Sequence, residues 1–400
     1  MFLPQARPIV QQLGASQIRE VANAGIGMTD VLPFWFGEPD QMTPQFIRDA
    51  AKQALDAGDT FYTHNYGIPA LRQAIASYLS RLHQPISMER IAVTSSGVSA
   101  LMLVAQTILN PGDRVVAVTP LWPNLTEIPK ILGANMVTVP LQFGLSWELD
   151  LPLLLNALTP DTKMLMLNSP NNPTGWVMPR DQQEIVLAHC RQHGIWILAD
   201  DVYERLVYND SSSVSGSVSN DPSALACAPS FLDIASPEDR VISTNSFSKS
   251  WLMTGWRLGW IVAPLSVMAD LGKLIEFNTS CAPGFIQTAA IAALEQGEPI
   301  VQNTLIRYQA ARDFLYQSLN DLPGITTPKP KGAMYLFFRF DGATDTLSLC
   351  KRLVKEVGLG LAPGSAFGNE GEGYVRWCFA SSLDKLELGV QRLQRFMEKD

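Results

Sequence analysis

Residues 245–259, NSFSKSWLMTGWRLG, decide how the rest of the chain is read. One lysine, Lys249, stands between Ser248 and Ser250, with Ser246 just ahead of them. Downstream comes Arg257, flanked by Gly255 and Gly259. The apolar runs Arg240–Thr244 and Leu258–Ala263 read as buried strands. Lys249 is therefore expected on a loop leaving a strand end, where open α/β sheets place their sites. A lysine amine forms a Schiff base with a carbonyl once it has lost its proton. Nearby hydroxyls and a guanidinium suit a phosphate. A solvated surface lysine is the plain alternative, and for an isolated lysine it would prevail.

Taken together, these groups suggest pyridoxal phosphate, joined to Lys249 as an imine and held at its phosphate by Ser246, Ser248 and Arg257. The pattern S-x-S-K-x5-G-x-R-x-G resembles the cofactor-lysine signature of the class I/II aminotransferases, fold-type I enzymes that use this cofactor. The resemblance extends from about Ile18 to Leu393, and it implies the remaining parts of the site in chain order.

In SSGV, Ser96, Gly97 and Val98 follow a strand and open a helix, where backbone N–H groups attract anions; the resemblance gives them the cofactor phosphate. Trp122, in TPLWPN, matches an aromatic that stacks on the pyridine ring, with core packing as the alternative. Asn172, in SPNNPTGW, matches the family's N-P-T-G asparagine, a donor to the ring hydroxyl. Asp200 ends the apolar run of ILADDVYE, where an aspartate is costly unless paired; a protonated pyridine nitrogen would pair it. The D-x-x-Y pattern selects Asp200 over Asp201 and gives Tyr203 to the ring hydroxyl, with an N-cap aspartate as the alternative. Tyr62, in FYTHNYGIP, matches a tyrosine that crosses a subunit interface to the partner's phosphate, so a homodimer is implied; Tyr66 is the near neighbour that competes for the match. Arg376, in YVRWCFASS, is expected to grip the substrate α-carboxylate, with Gly37 closing the backbone over it.

Composition agrees with a soluble enzyme. The 400 residues are 46% hydrophobic and 17% charged, enough for a large core and two domains. A net charge of -8 argues against nucleic acid or an anionic membrane as a partner. No stretch reads as a membrane span or a signal peptide, so a cytoplasmic location is expected. Five scattered cysteines indicate free thiols, and no metal site is expected; His189 and His193 at i,i+4 read as helix-end residues before Gly194.

Strand-like and helical stretches alternate from Arg90 to Asn245, which implies an α/β fold with a mostly parallel sheet covered by helices. After about Pro283 the pattern becomes a smaller α+β unit. The expected division is a large cofactor-binding domain at 46–283 and a small domain made of 1–45 and 284–400. Residues 210–236, rich in Ser, Pro and Ala, read as a long surface loop.

The resemblance implies a transaminase in which Lys249, Asp200 and Tyr203 carry the chemistry between an L-amino acid and a 2-oxo acid such as 2-oxoglutarate or pyruvate. No Lys or Arg occurs between Lys273 and Arg307, and residues 34–36 are all aromatic, so the expected donor is neutral or aromatic. A carbon–sulfur β-lyase would use the same parts. A non-catalytic sensor would carry a basic DNA-binding segment ahead of this fold.

Overall fold

The computed structural model describes residues 5–208 and 225–399. Seven strands form one sheet: β1 (Ile91–Thr94), β2 (Arg114–Thr119), β3 (Asn135–Pro140), β4 (Thr162–Asn168), β5 (Trp196–Asp200), β6 (Val241–Ser246) and β7 (Gly259–Val262). Their order across the sheet is β1-β7-β6-β5-β4-β2-β3. The pairs β6/β5, β5/β4, β4/β2 and β2/β3 are parallel. β7 runs antiparallel to both β6 and β1. The chain between β6 and β7 contains no α-helix to carry it back across the sheet, so it returns antiparallel.

Alternation along each strand feeds two cores. Val116, Val118, Leu165, Leu167 and Ile197 face one side, and Val115, Ala117, Met164, Met166 and Leu198 face the other. A sheet covered on both faces needs apolar side chains at odd and even positions alike, which is why its strands read as unbroken apolar runs.

A second, antiparallel sheet comprises β8 (Ile325–Thr326), β9 (Tyr335–Phe340), β10 (Ala362–Pro363) and β11 (Tyr374–Cys378), in the order β8-β9-β11-β10. Leu32–Pro33 pairs in parallel with Leu359–Gly360, and Cys378 donates its N–H to Phe34 O at 3.2 Å. These bonds bring the aromatic segment 34–36 and Gly37 to the second sheet, beside the end of the first.

Differences from the sequence reading have local causes. In the C-terminal unit, where the apolar run starting at Gly332 reads as strand up to Phe340, the strand begins only at Tyr335, because Ala333 has φ 58° and Gly332 bridges to Val207 instead. The helix Pro123–Ile131 contains Pro129, which in a sequence reads as a stop. The helix Gly284–Gln296 packs on Gln45–Asp56 and Pro69–Leu82; its Ala289, Ala290 and Ala293 share a core with Ile47, Leu71 and Ile75. Of the expected loop 210–236, residues 210–224 lie outside the described residues; Ser230 caps a single turn at Phe231–Asp233. No helix among the described residues is long and apolar enough to cross a membrane.

Candidate active site

β4, β5 and β6 end at Asn168, Asp200 and Ser246, and β1 leads into the helix Gly97–Ile108. Their carboxyl ends border a cavity of about 500 Å³, the place where open α/β sheets bind ligands. Gly37, Gly97, Val98, Trp122, Asn172, Asp200, Tyr203, Ser246, Ser248, Lys249, Arg257 and Arg376 all line it. Two candidates do not. The Ser96 hydroxyl caps the helix, accepting from Ser99 N at 2.9 Å. Tyr62 stands outside, 91% exposed.

Lys249 leaves the turn after β6 and donates from Nζ to Gly37 O at 2.5 Å. Burial, reinforced by the charges of Arg376 and Arg257, brings its pKa down to about 8. An amine with that pKa is neutral, and hence nucleophilic, in about a tenth of molecules at pH 7, far more than an ordinary lysine. Arg257 holds φ 53°, a left-handed conformation costing a non-glycine residue about 1–3 kcal/mol, and its Nη1 donates to Thr254 O at 2.9 Å. Gly259, across the ladder, has room only for hydrogen: a Cβ there would lie 2.6 Å from Asn245 O and 2.7 Å from Gly97 N.

Asp200 and Asp201 part company. Asp201 Oδ2 accepts from Ser243 Oγ at 2.7 Å and Ser230 Oγ at 3.1 Å, away from the cavity. Asp200 lines the cavity, and its best side-chain donor is Val202 N at 3.4 Å. Burial, with Asp201's charge second, pushes Asp200 up to about 7. The sign of the linkage is fixed. The folded carboxyl binds its proton more tightly than the unfolded one, so stability falls as pH rises from about 4 through 7. Asp200→Asn removes the buried charge. Cofactor-free protein carrying it is expected to melt at a higher temperature than wild type at pH 8, with the difference vanishing near pH 4. An equal or lower melting temperature at pH 8 would contradict the assigned burial penalty.

A hydrogen-bonded chain links Asp200 to Arg376. Asn168 Nδ2 donates to Asp200 O at 2.9 Å, Asn172 N donates to Asn168 Oδ1 at 2.7 Å, and Arg376 Nη1 donates to Asn172 Oδ1 at 2.9 Å. With Oδ1 engaged, the Asn172 amide is left with Nδ2 as donor. Arg376 also donates from Nη2 to Trp35 O. Its guanidinium lies 4.5 Å from the Tyr335 ring centroid and 4.9 Å from that of Phe367. The side chain is 2% exposed and its Nε has no partner, so an anion would complete it.

Sequence reading missed Tyr335. Its hydroxyl shares a 2.7 Å hydrogen bond with Tyr203, and a Cβ on Gly37 would fall 1.9 Å from it. The backbone of Gly37 can approach only because it lacks that carbon. Sequence reading also missed Ser16, Ile18, Arg19 and Asn124, which line the cavity. Nothing local marks Ser16, Ile18 and Arg19, because the N-terminal segment reaches the cavity only by tertiary packing. Tyr66, the competitor of Tyr62, is tied inside the chain by donating to Met268 O at 2.8 Å.

The profile described as aminotransferase class I and II matches residues 29–393. The aspartate aminotransferase of Pyrococcus horikoshii is 33% identical over 387 residues, covering 96% of this chain and 95% of that one. Aromatic-amino-acid aminotransferase 2 of Thermococcus litoralis is 32% identical over 399 residues, covering 98% and 97%. Among solved structures, a single mutant of Thermus thermophilus aspartate aminotransferase superposes with a TM-score of 0.88 at 29% identity, covering 98% of this chain and all of the other. Likeness of this extent in sequence and in fold establishes that the chain belongs to the class I and II aminotransferases, a pyridoxal-phosphate-dependent family, and is an aminotransferase.

Proposed function

We propose that this cavity binds pyridoxal phosphate on Lys249 and transfers the amino group of a neutral or aromatic L-amino acid to 2-oxoglutarate or pyruvate in two separate half-reactions. One observation carries the reading. Lys249 and Arg376 open on the same cavity, and neither has a carboxylate within ion-pair distance among the described residues. Two inward cations without counter-charges suit an anionic cofactor and an anionic substrate. The residues fit the cofactor. Gly97 keeps a cradle open, since a Cβ there would lie 3.1 Å from Ser246 Cβ, and Asp200 is a buried acid with no cation at ion-pair distance among the described residues.

Bound there, pyridoxal phosphate supplies an aldehyde for a Schiff base with Lys249 and a ring that accepts the electron pair left at the substrate Cα. The chain's own groups do the rest. Ser246, Ser248, Arg257 and the backbone of Gly97 and Val98 would hold the phosphate. Asp200 would pair with the ring nitrogen and keep a proton on it. Asn172 and Tyr203 orient the ring hydroxyl, and Trp122 covers one ring face. Arg376 and the Gly37 backbone hold the substrate carboxylate, and the Lys249 amine takes and returns the Cα proton.

Three further points belong to this reading. Phe61, Tyr62 and Phe277 are 83%, 91% and 87% exposed; apolar surface of that kind supports a homodimer in which Tyr62 serves the partner's site. The packing of Gly284–Gln296 on Gln45–Asp56 leads us to place the hinge of the small domain at Gly297 rather than at 283. Unpaired Cys190 and Cys350, both buried, support a reducing, cytoplasmic location.

Arg19 refines the substrate. It lines the cavity without a carboxylate partner among the described residues, 5.5 Å from the Phe36 ring centroid. Ile18 and Phe36 suit an apolar donor, while Arg19 suits the distal carboxylate of 2-oxoglutarate. The test mixes loaded enzyme with an amino acid alone. Transamination releases 2-oxo acid equal to the enzyme and then stops until an acceptor is added. Continuous pyruvate and ammonia from a cysteine-type substrate would instead establish a β-lyase. Arg19→Ala is expected to raise KM for 2-oxoglutarate by up to about fivefold, the value of an exposed charged contact of roughly 0.2–1 kcal/mol, and to leave pyruvate unaffected.

A further inference from the structure

Outside the cavity, one cluster of ligating side chains has no part in the proposed chemistry. His83 closes the helix Pro69–Leu82, Glu204 lies in the turn after β5, and Cys227 sits on the described chain before Ser230. One ligand atom from each lies within 4.8 Å of the others. The side chains of His83 and Glu204 are 0% and 3% exposed. Their spacing in the chain matches no metal motif, which is why the sequence points to none; only the tertiary fold gathers them.

The surroundings orient the ring. Asp233 Oδ1 lies 2.6 Å from His83 Nδ1 and accepts its proton, and Asp233 is itself held by Arg180. This is the carboxylate–histidine arrangement that fixes the tautomer of a metal-bound imidazole. Nε2 then faces Glu204 Oε2 at 3.2 Å. Two lone pairs meet there unless a cation lies between them or the ring takes a second proton. The other Glu204 oxygen accepts from Asn245 Nδ2 at 2.8 Å, so Oε2 is the one left to ligate.

We propose that His83, Glu204 and Cys227 bind one zinc ion. In a tetrahedral zinc site, bonds of about 2.0–2.3 Å set neighbouring ligand atoms roughly 3.3–3.7 Å apart. The 3.2 Å separation of Nε2 and Oε2 already matches this closely, and Cys227 Sγ lies within 4.8 Å of both. A thiolate, a carboxylate and a neutral imidazole give a site of no net charge around a divalent ion, which a buried position requires. A mixed nitrogen, oxygen and sulfur set selects zinc over magnesium or calcium, which take oxygen alone. Cys227 is only half-buried, so the ion and a water in the fourth position reach the site from its side. The ion ties the end of the Pro69–Leu82 helix to the turn that carries Asp200 and Tyr203, and it acts as a structural clamp.

The experiment is metal analysis of holoenzyme dialysed against micromolar zinc sulfate and then against metal-free buffer. Wild type is expected to retain about one zinc per chain. Cys227→Ser, which preserves volume, and His83→Gln are each expected to retain at least about tenfold less. The melting temperature of wild type should rise with added zinc, and that of Cys227→Ser should not. The control is His189→Gln, since the part-buried His189 and His193 rings lie 4.5 Å apart on the helix Arg180–His193; it should keep its zinc. Three results would overturn the site: wild type retaining no zinc, zinc loss that follows His189 instead of Cys227, or full zinc in Cys227→Ser. In each of these His83 is a protonated clamp between Asp233 and Glu204 and nothing more.

Discussion

Lys249→Ala is expected to lower turnover by at least about 10³-fold. Removing a positioned acid–base group by itself costs about 10²–10⁴ in rate, and on the proposed reading this variant also loses the covalent tether. The imine absorbance that the proposed linkage to Lys249 would give loaded enzyme should disappear. Loss of fold is the competing explanation for an inactive variant, and the pKa of Lys249 separates the two. Burial holds the folded amine at about 8, below its ordinary 10.5. The folded state therefore penalises the charged lysine; the penalty is complete below pH 8 and fades as pH rises toward 10.5. Alanine removes it, so cofactor-free Lys249→Ala should melt at or above the wild-type temperature at pH 7. Near-normal turnover would refute the assignment, and a large drop in melting temperature would show that Lys249 is structural.

Arg376→Ala is expected to lower kcat/KM by about 30- to 5,000-fold, the range set by losing one side of a buried charge pair worth about 2–5 kcal/mol. The guanidinium already holds Asn172 Oδ1 and Trp35 O and keeps Nε free, so it is pre-set for a carboxylate before any substrate arrives. Discrimination is the sharper readout. Wild type should prefer an amino acid strongly over the corresponding amine that lacks the carboxylate, and Arg376→Ala should lose most of that preference. Arg376→Lys keeps the charge but not the planar fork or the stacking between Tyr335 and Phe367, so it is expected to recover only part of the loss. Unchanged discrimination in Arg376→Ala would place the carboxylate elsewhere.

Much of this was legible because the site is made at strand ends. Asn168, Asp200 and Ser246 each close an apolar run, and a run buried on both faces is a local signal. Asp200 stood out as a charge at the end of such a run, and Lys249 as an amine among hydroxyls. Tyr335 gave no such signal. It sits in an apolar strand where an aromatic is ordinary, and only its 2.7 Å contact with Tyr203, 132 residues away in sequence, gives it a role. Arg19 lies on a polar helix surface, and its position at the cavity depends on how the helix Gln17–Ala24 packs against the second sheet and its helices.

The order of strands and helices, the strand-end lysine and the aspartate that follows an apolar run were set by the sequence alone, because periodicity and turn chemistry act over a few residues. The pairing of β7 with β1, the close approach of Gly37 to Tyr335, the place of Arg19 and the gathering of His83, Glu204 and Cys227 were decided by the tertiary structure. Each of these depends on contacts between segments far apart in the chain, and such contacts form only when whole faces bury against one another.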